Sequence, residues 1–374
     1  MRSWIAVLAA GSLLAAALSV DAGSARAEPA DAEPTVATTS AKAPIATATP
    51  DAAAGQSGGP FTSSESVLHF IHAYRSRPEP GRVAAAYKTA SQAGALATPE
   101  AAGLYVGFLA GVIAAQPTRA DRLIAAMVPF PPADGWVIVR AIAYSGHPDW
   151  KGLLARNAAR FPQHRAMVEA YVNDRMPTLD RLAIDDDPSV WTRMRGWLRV
   201  GEAAPKTPAL AVGPDVLDTL WGLYFASGDA APIGRIVALL PWSLERDDLD
   251  RLTVGSMAKF TLVANGARDP ALLALLRAEL QTQPPGTAAV LKDAILAAET
   301  VDVGRVRKEA LAAIRALEKS GGRREPSLWG RIGEGAMSFG CVAAAAIGQV
   351  ALGLPCVVGG ALTSAALHYF DKSN

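Results

Sequence analysis

Large apolar side chains recur three and four residues apart along most of this chain, and no stretch alternates apolar with polar residues for the length of a strand. The first run, "TSSESVLHFIHAYRSRPEPG", places Val67, Phe70, Ile71 and Tyr74 on one helical face. A serine of the capping type precedes them and Glu65 falls in the first turn. "RPEPG" stops the helix, because proline removes a donor and restricts the residue before it. Helical periods then continue to about residue 320. They break at Thr98-Pro99, Gln116-Pro117, Phe130-Pro131-Pro132, Gly146-His147-Pro148, Asp187-Pro188, Gly213-Pro214, Gly228-Asp229, Asp269-Pro270 and Pro284-Pro285-Gly286. At Asp187-Pro188 and Asp269-Pro270 a capping carboxylate stands just before a proline, which suits the first helical position because its missing N–H would go unpaired there. The predicted fold class is all-α.

Four stretches share one plan: "LYVGFLAGVIAAQPTRADRLIAAM", "WVIVRAIAYSGHPDWKGLLARN", "LWGLYFASGDAAPIGRIVALL" and "MAKFTLVANGARDPALLALLRAEL". Each has an aromatic-bearing apolar helix ending in small residues, a short turn with Gly, Asp or Pro, and a second helix with a basic residue. The turns fall near residues 116, 146, 228 and 266, which fits a repeat of about 30 to 41 residues with one degenerate copy between. Helix pairs at that period point to an irregular solenoid of TPR- or HEAT-like right-handed stacking. A globular helical domain is the other architecture open to the same pattern.

The two ends differ from this middle. Residues 1–27 read as a secretory signal: Arg2, an apolar run from Ile5 to Val20, and the small-x-small site Ala25-Arg26-Ala27. Residues 28–60 are Ala, Thr, Pro, Ser and Gly with scarcely a large apolar side chain, the composition of a disordered linker. The helical repeat domain is predicted over 61–325 and an apolar C-terminal helical segment over 326–374. Within the latter, Ser338 to Phe370 holds no Asp, Glu, Lys or Arg. Gly353-Leu354-Pro355 divides it into pieces of about 22 Å, short of a hydrocarbon core of about 30 Å. The basic flank also lies on the wrong side for a span whose preceding domain is exported. An Ala/Gly-rich helical hairpin, capping the domain or touching membrane, is the expectation. Cys341 and Cys356 are candidates for a disulfide, which would require the chain to reverse between them.

The formal net charge is +1, and no Lys/Arg cluster forms the basic face that nucleic acid requires. Candidate chemistry is sparse. His69 and His72 share a helical face with Glu65 one turn earlier, but a metal site needs a further ligand. Asp185, Asp186 and Asp187 lack the spacing of a calcium loop and read as complements to the next helix start. "LPWSLERDDLDRL" offers Glu245, Asp247, Asp248 and Asp250 beside Trp242, Arg246 and Arg251, a carboxylate set that could serve glycoside hydrolysis. Here Ser243 reads as an N-cap, with Glu245 and Arg246 in the first turn, which favours a solvated helix face. No phosphate loop, nucleophile elbow, zinc helix or dinucleotide fingerprint is present, so no cofactor or metal is expected. Trp136, Trp150, Trp221 and Trp242 are candidates for an interaction surface, although tryptophans of repeat proteins more commonly pack between helices.

One block, "PDVLDTLWGLYFASGDAAPIGRIVALLPW" from Pro214 to Trp242, resembles a pattern of uncharacterised exported bacterial helical proteins. The shared elements are Asp-x-Leu-Trp-Gly-x-aromatic-Phe-Ala-small-Gly-Asp around residues 215–229. The resemblance implies a bacterial, exported, helical protein and no activity. The expected function is a non-catalytic repeat protein of the periplasm or cell envelope that binds a protein partner or supports an assembly. The alternatives are an envelope enzyme acting on glycan or peptide through carboxylates such as Glu245 and Asp248, and a membrane-active or membrane-anchored protein using Ser338 to Phe370.

Overall fold

Short polar side chains start about half of the helices by accepting from otherwise orphaned N–H groups. A computed structural model describes residues 59–184 and 208–321. Helix α1 (Ser64–Tyr74) opens with a reciprocal cap, in which the Ser63 and Ser66 hydroxyl oxygens each accept from the other's N–H at 3.2 Å. Helix α2 (Val83–Gln92) follows, and Thr98 caps α3 (Pro99–Ala115), which stops before Pro117. Then come α4 (Ala120–Ala126), α5 (Gly135–Tyr144), α6 (Trp150–Asn157) with Asp149 as its cap, and α7 (Arg165–Val172). Helix α8 (Pro214–Ser227) begins at a proline and ends at Gly228, whose φ of 72° is the left-handed conformation that glycine adopts without a Cβ clash. Asp229 caps α9 (Ala230–Ala238), Asp248 caps α10 (Leu249–Gly266), and Asp269 caps α11 (Pro270–Leu280). Helices α12 (Pro285–Glu299) and α13 (Val303–Lys319) complete the described chain. Among the described residues there is no strand, only an isolated parallel bridge between Leu182 and Leu210.

The all-α expectation holds, and each of the four stretches with the shared plan is a helix–turn–helix: α3–α4, α5–α6, α8–α9 and α10–α11. One start is corrected. Ser243 is not a cap; it lies in a 3-10 turn, Leu240–Leu244, and its hydroxyl donates to the Leu240 carbonyl at 2.7 Å. The cap is Asp248, whose Oδ1 accepts from the Asp250 and Arg251 N–H groups at 3.0 Å. The predicted signal and most of the linker, Asp185–Asp187, both cysteines and Ser338 to Phe370 lie outside the described residues.

Helices α3, α8 and α10 are buried on nearly every side and make the centre of the core. The most extensive helix–helix contact is between α3 and α8. It joins Gly103 to Thr219, 116 positions further on, through a hydrogen bond from the Thr219 hydroxyl to the Gly103 carbonyl at 3.1 Å. A stack built strictly in chain order would instead set each helix pair chiefly against the next. The backbones touch because Gly103, Gly107 and Gly111 form a four-residue stripe on α3. Their Cα positions face the Asp215 backbone, the Thr219 backbone and Ala226. Gly222 returns the contact against the α3 backbone at Leu104 and Phe108. Such small-residue stripes let two helices approach to backbone contact. Helix α3 also packs on α5, while α10 carries the 240–244 turn, α12 and α13.

An ionic knot ties α1 and α11 to α8. Arg75, at the end of α1, donates to the Tyr224 hydroxyl and to Asp269 Oδ2 at 2.5 Å, with its guanidinium 4.7 Å from the Tyr224 ring centre. The other Asp269 oxygen accepts from the Ala271 and Leu272 N–H groups at 3.0 and 3.1 Å. One carboxylate therefore caps a helix and neutralises a half-buried arginine.

Alanine favours a helix by roughly 1 kcal/mol over glycine, so a destabilised Gly107→Ala variant isolates the α3–α8 contact. Its Cβ would fall inside the Thr219 carbonyl, and urea denaturation is expected to show a net loss of about 2–3 kcal/mol. Gly81→Ala meets nothing within 4 Å and is expected to stay within about 0.5 kcal/mol of the parent. Val301 holds a φ of 55° at the α12–α13 turn, a costly conformation for a β-branched residue. Val301→Gly is expected to raise stability by about 1 kcal/mol in the same assay.

Candidate functional site

Glycine also decides the position of the 240–244 turn. At Gly255, nearly two turns into α10, an added Cβ would lie 2.7 Å from Trp242 Cβ and closer still to the Ser243 nitrogen. The turn therefore rests directly on the helix backbone. Beside it, α10 and α13 enclose a cavity of about 180 Å³. Its polar lining is Ser243, Arg246, Ser256, Lys259 and Glu309; its apolar lining is Leu244, Val306, Ala310 and Ala313.

The polar groups are not equivalent. Thr253 and Thr261, also on α10, donate their hydroxyls to carbonyls four residues back at 2.7 and 2.9 Å. Ser256 is only 4% exposed and makes no such bond among the described residues, which leaves its donor for the cavity. The Lys259 ammonium lies 2.6 Å from Asp293 Oδ2 and 3.9 Å from Glu309 Oε2. Arg305 closes the network with Asp293, Asp302 and Glu309 at 3.1, 3.0 and 2.9 Å. Burial alone would raise the Asp293 pKa; Lys259 and Arg305 outweigh it and hold the carboxyl below its ordinary value. Ser256 and Lys259 stand three apart, the spacing of a nucleophile and its base on one helical face. Lys259 Nζ is already engaged by the Asp293 carboxylate.

The carboxylates singled out in the sequence do not converge there. Glu245 Oε1 accepts from the Arg246 and Asp247 N–H groups at 2.9 and 3.2 Å, and Asp248 is the α10 cap. Neither lines the cavity. Trp242 is half-buried with the Arg251 guanidinium 5.0 Å from its ring centre. Trp136 and Trp150 are also half-buried, beside Arg140 at 4.9 Å and Lys151 at 5.5 Å. Trp221 is corrected from interaction surface to core: it is fully buried and its indole N–H donates to the Thr261 hydroxyl at 3.0 Å. His69 is exposed, while His72 packs on the Phe225 ring at 5.1 Å. Burial lowers the His72 pKa, against an opposing pull from Asp269. Among the described residues no group of three or more His, Cys, Asp and Glu side chains is placed to hold a metal ion. No single described helix is long and apolar enough to cross a membrane. The residues missed were Ser256 and Lys259. Their spacing on an apolar helix was legible, but the turn and α13 that enclose them were not.

A second polar feature lies away from the cavity. Asp218 on α8 is fully buried and, among the described residues, neither carboxyl oxygen has a hydrogen-bond partner. Burial drives its pKa well above the ordinary carboxylate value, and Asp215 one turn earlier pushes it the same way. Burial raises the Asp215 pKa too, against the attraction of Arg140. A carboxyl in this setting is held as the neutral acid.

Comparison of the chain with protein-family models, with curated proteins and with solved structures gives no match.

The buried acid sets a pH dependence of stability. The folded state keeps the Asp218 proton at pH values where the unfolded chain, with a pKa of about 3.9, has released it. Stability from this residue is therefore full below about pH 4 and falls as pH rises towards the elevated folded pKa. Asp218→Asn, which cannot ionise, is expected to flatten the profile between pH 4 and 8. At pH 7.5 it should gain about 1–3 kcal/mol in urea titrations; an unchanged slope would place the proton elsewhere.

Proposed function

We propose that this is a non-catalytic helical protein exported to the bacterial cell envelope, where it binds a protein partner or supports an assembly. The observation that carries the proposal is the state of the polar groups around α10. The cavity presents hydroxyl and cationic donors, its lysine is committed to Asp293, and the nearby Glu245 and Asp248 are engaged by backbone N–H groups. That chemistry suits binding, and among the described residues it offers no pair of opposed carboxylates.

Other features support the same reading. The signal-like N-terminus followed by an Ala/Thr/Pro-rich linker suits an exported domain on a tether. The helix-pair units, read as degenerate repeats, would present an extended face to a partner, with Trp136, Trp150 and Trp242 as half-buried aromatic contacts. The uncharged stretch Ser338 to Phe370 brings membrane contact into the proposal as a docking element.

A photo-crosslinking residue placed at Trp136, Trp150 or Trp242 in the native host is expected to give a discrete protein adduct from at least one position. The exported protein is expected to begin at Glu28 by mass spectrometry. Glycan and peptide substrates are expected to be untouched by the wild type and by Glu245→Gln and Asp248→Asn. Turnover by the wild type that both variants lose would replace this proposal with an envelope hydrolase.

A further inference from the structure

Tyr171 of α7 is fully buried, and its hydroxyl has no hydrogen-bond partner among the described residues. Trp150 of α6 and Tyr144 of α5 meet its ring edge-on at 6.5 and 6.3 Å. Arg140 lies one turn before Tyr144 on the same face of α5. Its guanidinium stands 4.9 Å from the Trp136 ring centre, and its Nε is buried without a partner among the described residues. Arg140 and Tyr144 are both near enough to the Tyr171 hydroxyl to oppose the rise that burial gives its pKa, although no hydrogen bond joins them. A buried donor without an acceptor is costly, and native proteins rarely leave one so. Here two such donors, from α5 and α7, come together.

An acid completes the set. Asp215, in the first turn of α8, attracts Arg140, and its charge also reaches Tyr144. Glu100 of α3 adds negative potential at Asp215. Yet Arg140 makes no ion pair among the described residues, with Asp215 or with any other carboxylate. A cation and a carboxylate thus stand near each other but unjoined, with the Tyr171 hydroxyl beside the cation. Charge narrows the ligand. A lone anion on Arg140 would meet the field of Asp215, and a lone cation at Asp215 would meet that of Arg140. A small molecule carrying both charges satisfies each end at once. Arg140 is only half-buried, which gives the cluster access from solvent.

We propose that Arg140, Tyr171 and Asp215 form a binding site for a small zwitterion of the α-amino acid class. Its carboxylate lies on the Arg140 guanidinium and accepts from the Tyr171 hydroxyl, and its ammonium lies towards Asp215. The Trp136 ring backs the guanidinium. An ammonium beside Asp215 favours the ionised carboxylate against the burial that opposes it. The site needs no protein partner, so this proposal and the proposed function can each fail while the other stands.

The test is isothermal titration of the exported protein at pH 7 with the free amino acids glycine, alanine and leucine. Propionate and methylamine, which each carry one of the two charges, are titrated beside them. At least one amino acid is expected to bind with a Kd of about 0.01–1 mM, in keeping with its few atoms. Propionate and methylamine are expected to bind at least about tenfold more weakly. Tyr171→Phe removes only a hydroxyl and is expected to weaken the amino acid about tenfold. Its melting temperature should not fall, because that hydroxyl has no partner to lose. Asp215→Asn is expected to bring the amino acid down to the affinity of propionate. Arg140→Lys, which keeps the charge but not the two-pronged donor, is expected to weaken it about tenfold. The proposal is overturned if no amino acid binds below about 10 mM. It is also overturned if propionate or methylamine binds as tightly as every amino acid, or if binding survives Tyr171→Phe and Asp215→Asn unchanged.

Discussion

Backbone contact between α3 and α8 is the constraint around which the other elements are arranged. Three glycines at four-residue steps on α3 and Gly222 on α8 remove the side chains that would hold the helices apart. Dispersion between the two main chains and the Thr219 hydrogen bond then replace side-chain packing. The cost is that neither helix keeps a polar face, so both must be covered all round. Helix α1 covers both: the Tyr74 and Phe70 rings meet Phe108 of α3 edge-on at 4.9 and 5.9 Å, and His72 packs on Phe225 of α8 at 5.1 Å. Helix α5 covers α3, and Trp221 turns away from the glycine seam to reach Thr261 of α10.

Two carboxylates on or beside this centre show opposite solutions to burial. Asp269 is surrounded by donors, the Arg75 guanidinium, the Tyr224 hydroxyl and two backbone N–H groups, so its charge joins elements distant in sequence. Asp218 has no donor among the described residues and a second acid for a neighbour. The first stabilises as an anion, the second is tolerated as a neutral acid. Their difference is one of position: Asp269 lies at a helix start where N–H groups are in surplus, and Asp218 lies mid-helix where they are already paired.

The cavity follows from a second glycine-mediated approach. Gly255 lets the 240–244 turn rest on α10, and α13 crosses the same helix with Val306 and Ala310 inward. Where turn and helix diverge, a gap remains that neither can fill. The network of Lys259, Asp293, Arg305, Asp302 and Glu309 fixes its outer edge.

Helix starts and stops were readable from the chain because they depend on nearest neighbours. Ser63, Thr98, Asp229 and Asp269 cap where a short acceptor precedes a helical period, and the four helix–turn–helix units fall where Gly, Asp or Pro interrupts it. The misread start at Ser243 is instructive: Pro241 and the Gly255 contact hold that segment in a tight turn, and the free acceptor nearest the next helix is Asp248. The glycine stripe on α3 was visible as spacing but did not name its partner, because backbone contact leaves no complementary residue type to recognise. Trp221 likewise has the composition of a contact residue and the position of a core one. Local sequence thus determined where this chain turns and which faces are apolar, through hydrogen-bond satisfaction within a few residues. Only the tertiary structure decided that α3 meets α8, that Asp218 loses water entirely, and that Ser256 and Arg246 face one cavity, since each depends on atoms brought together from distant parts of the chain.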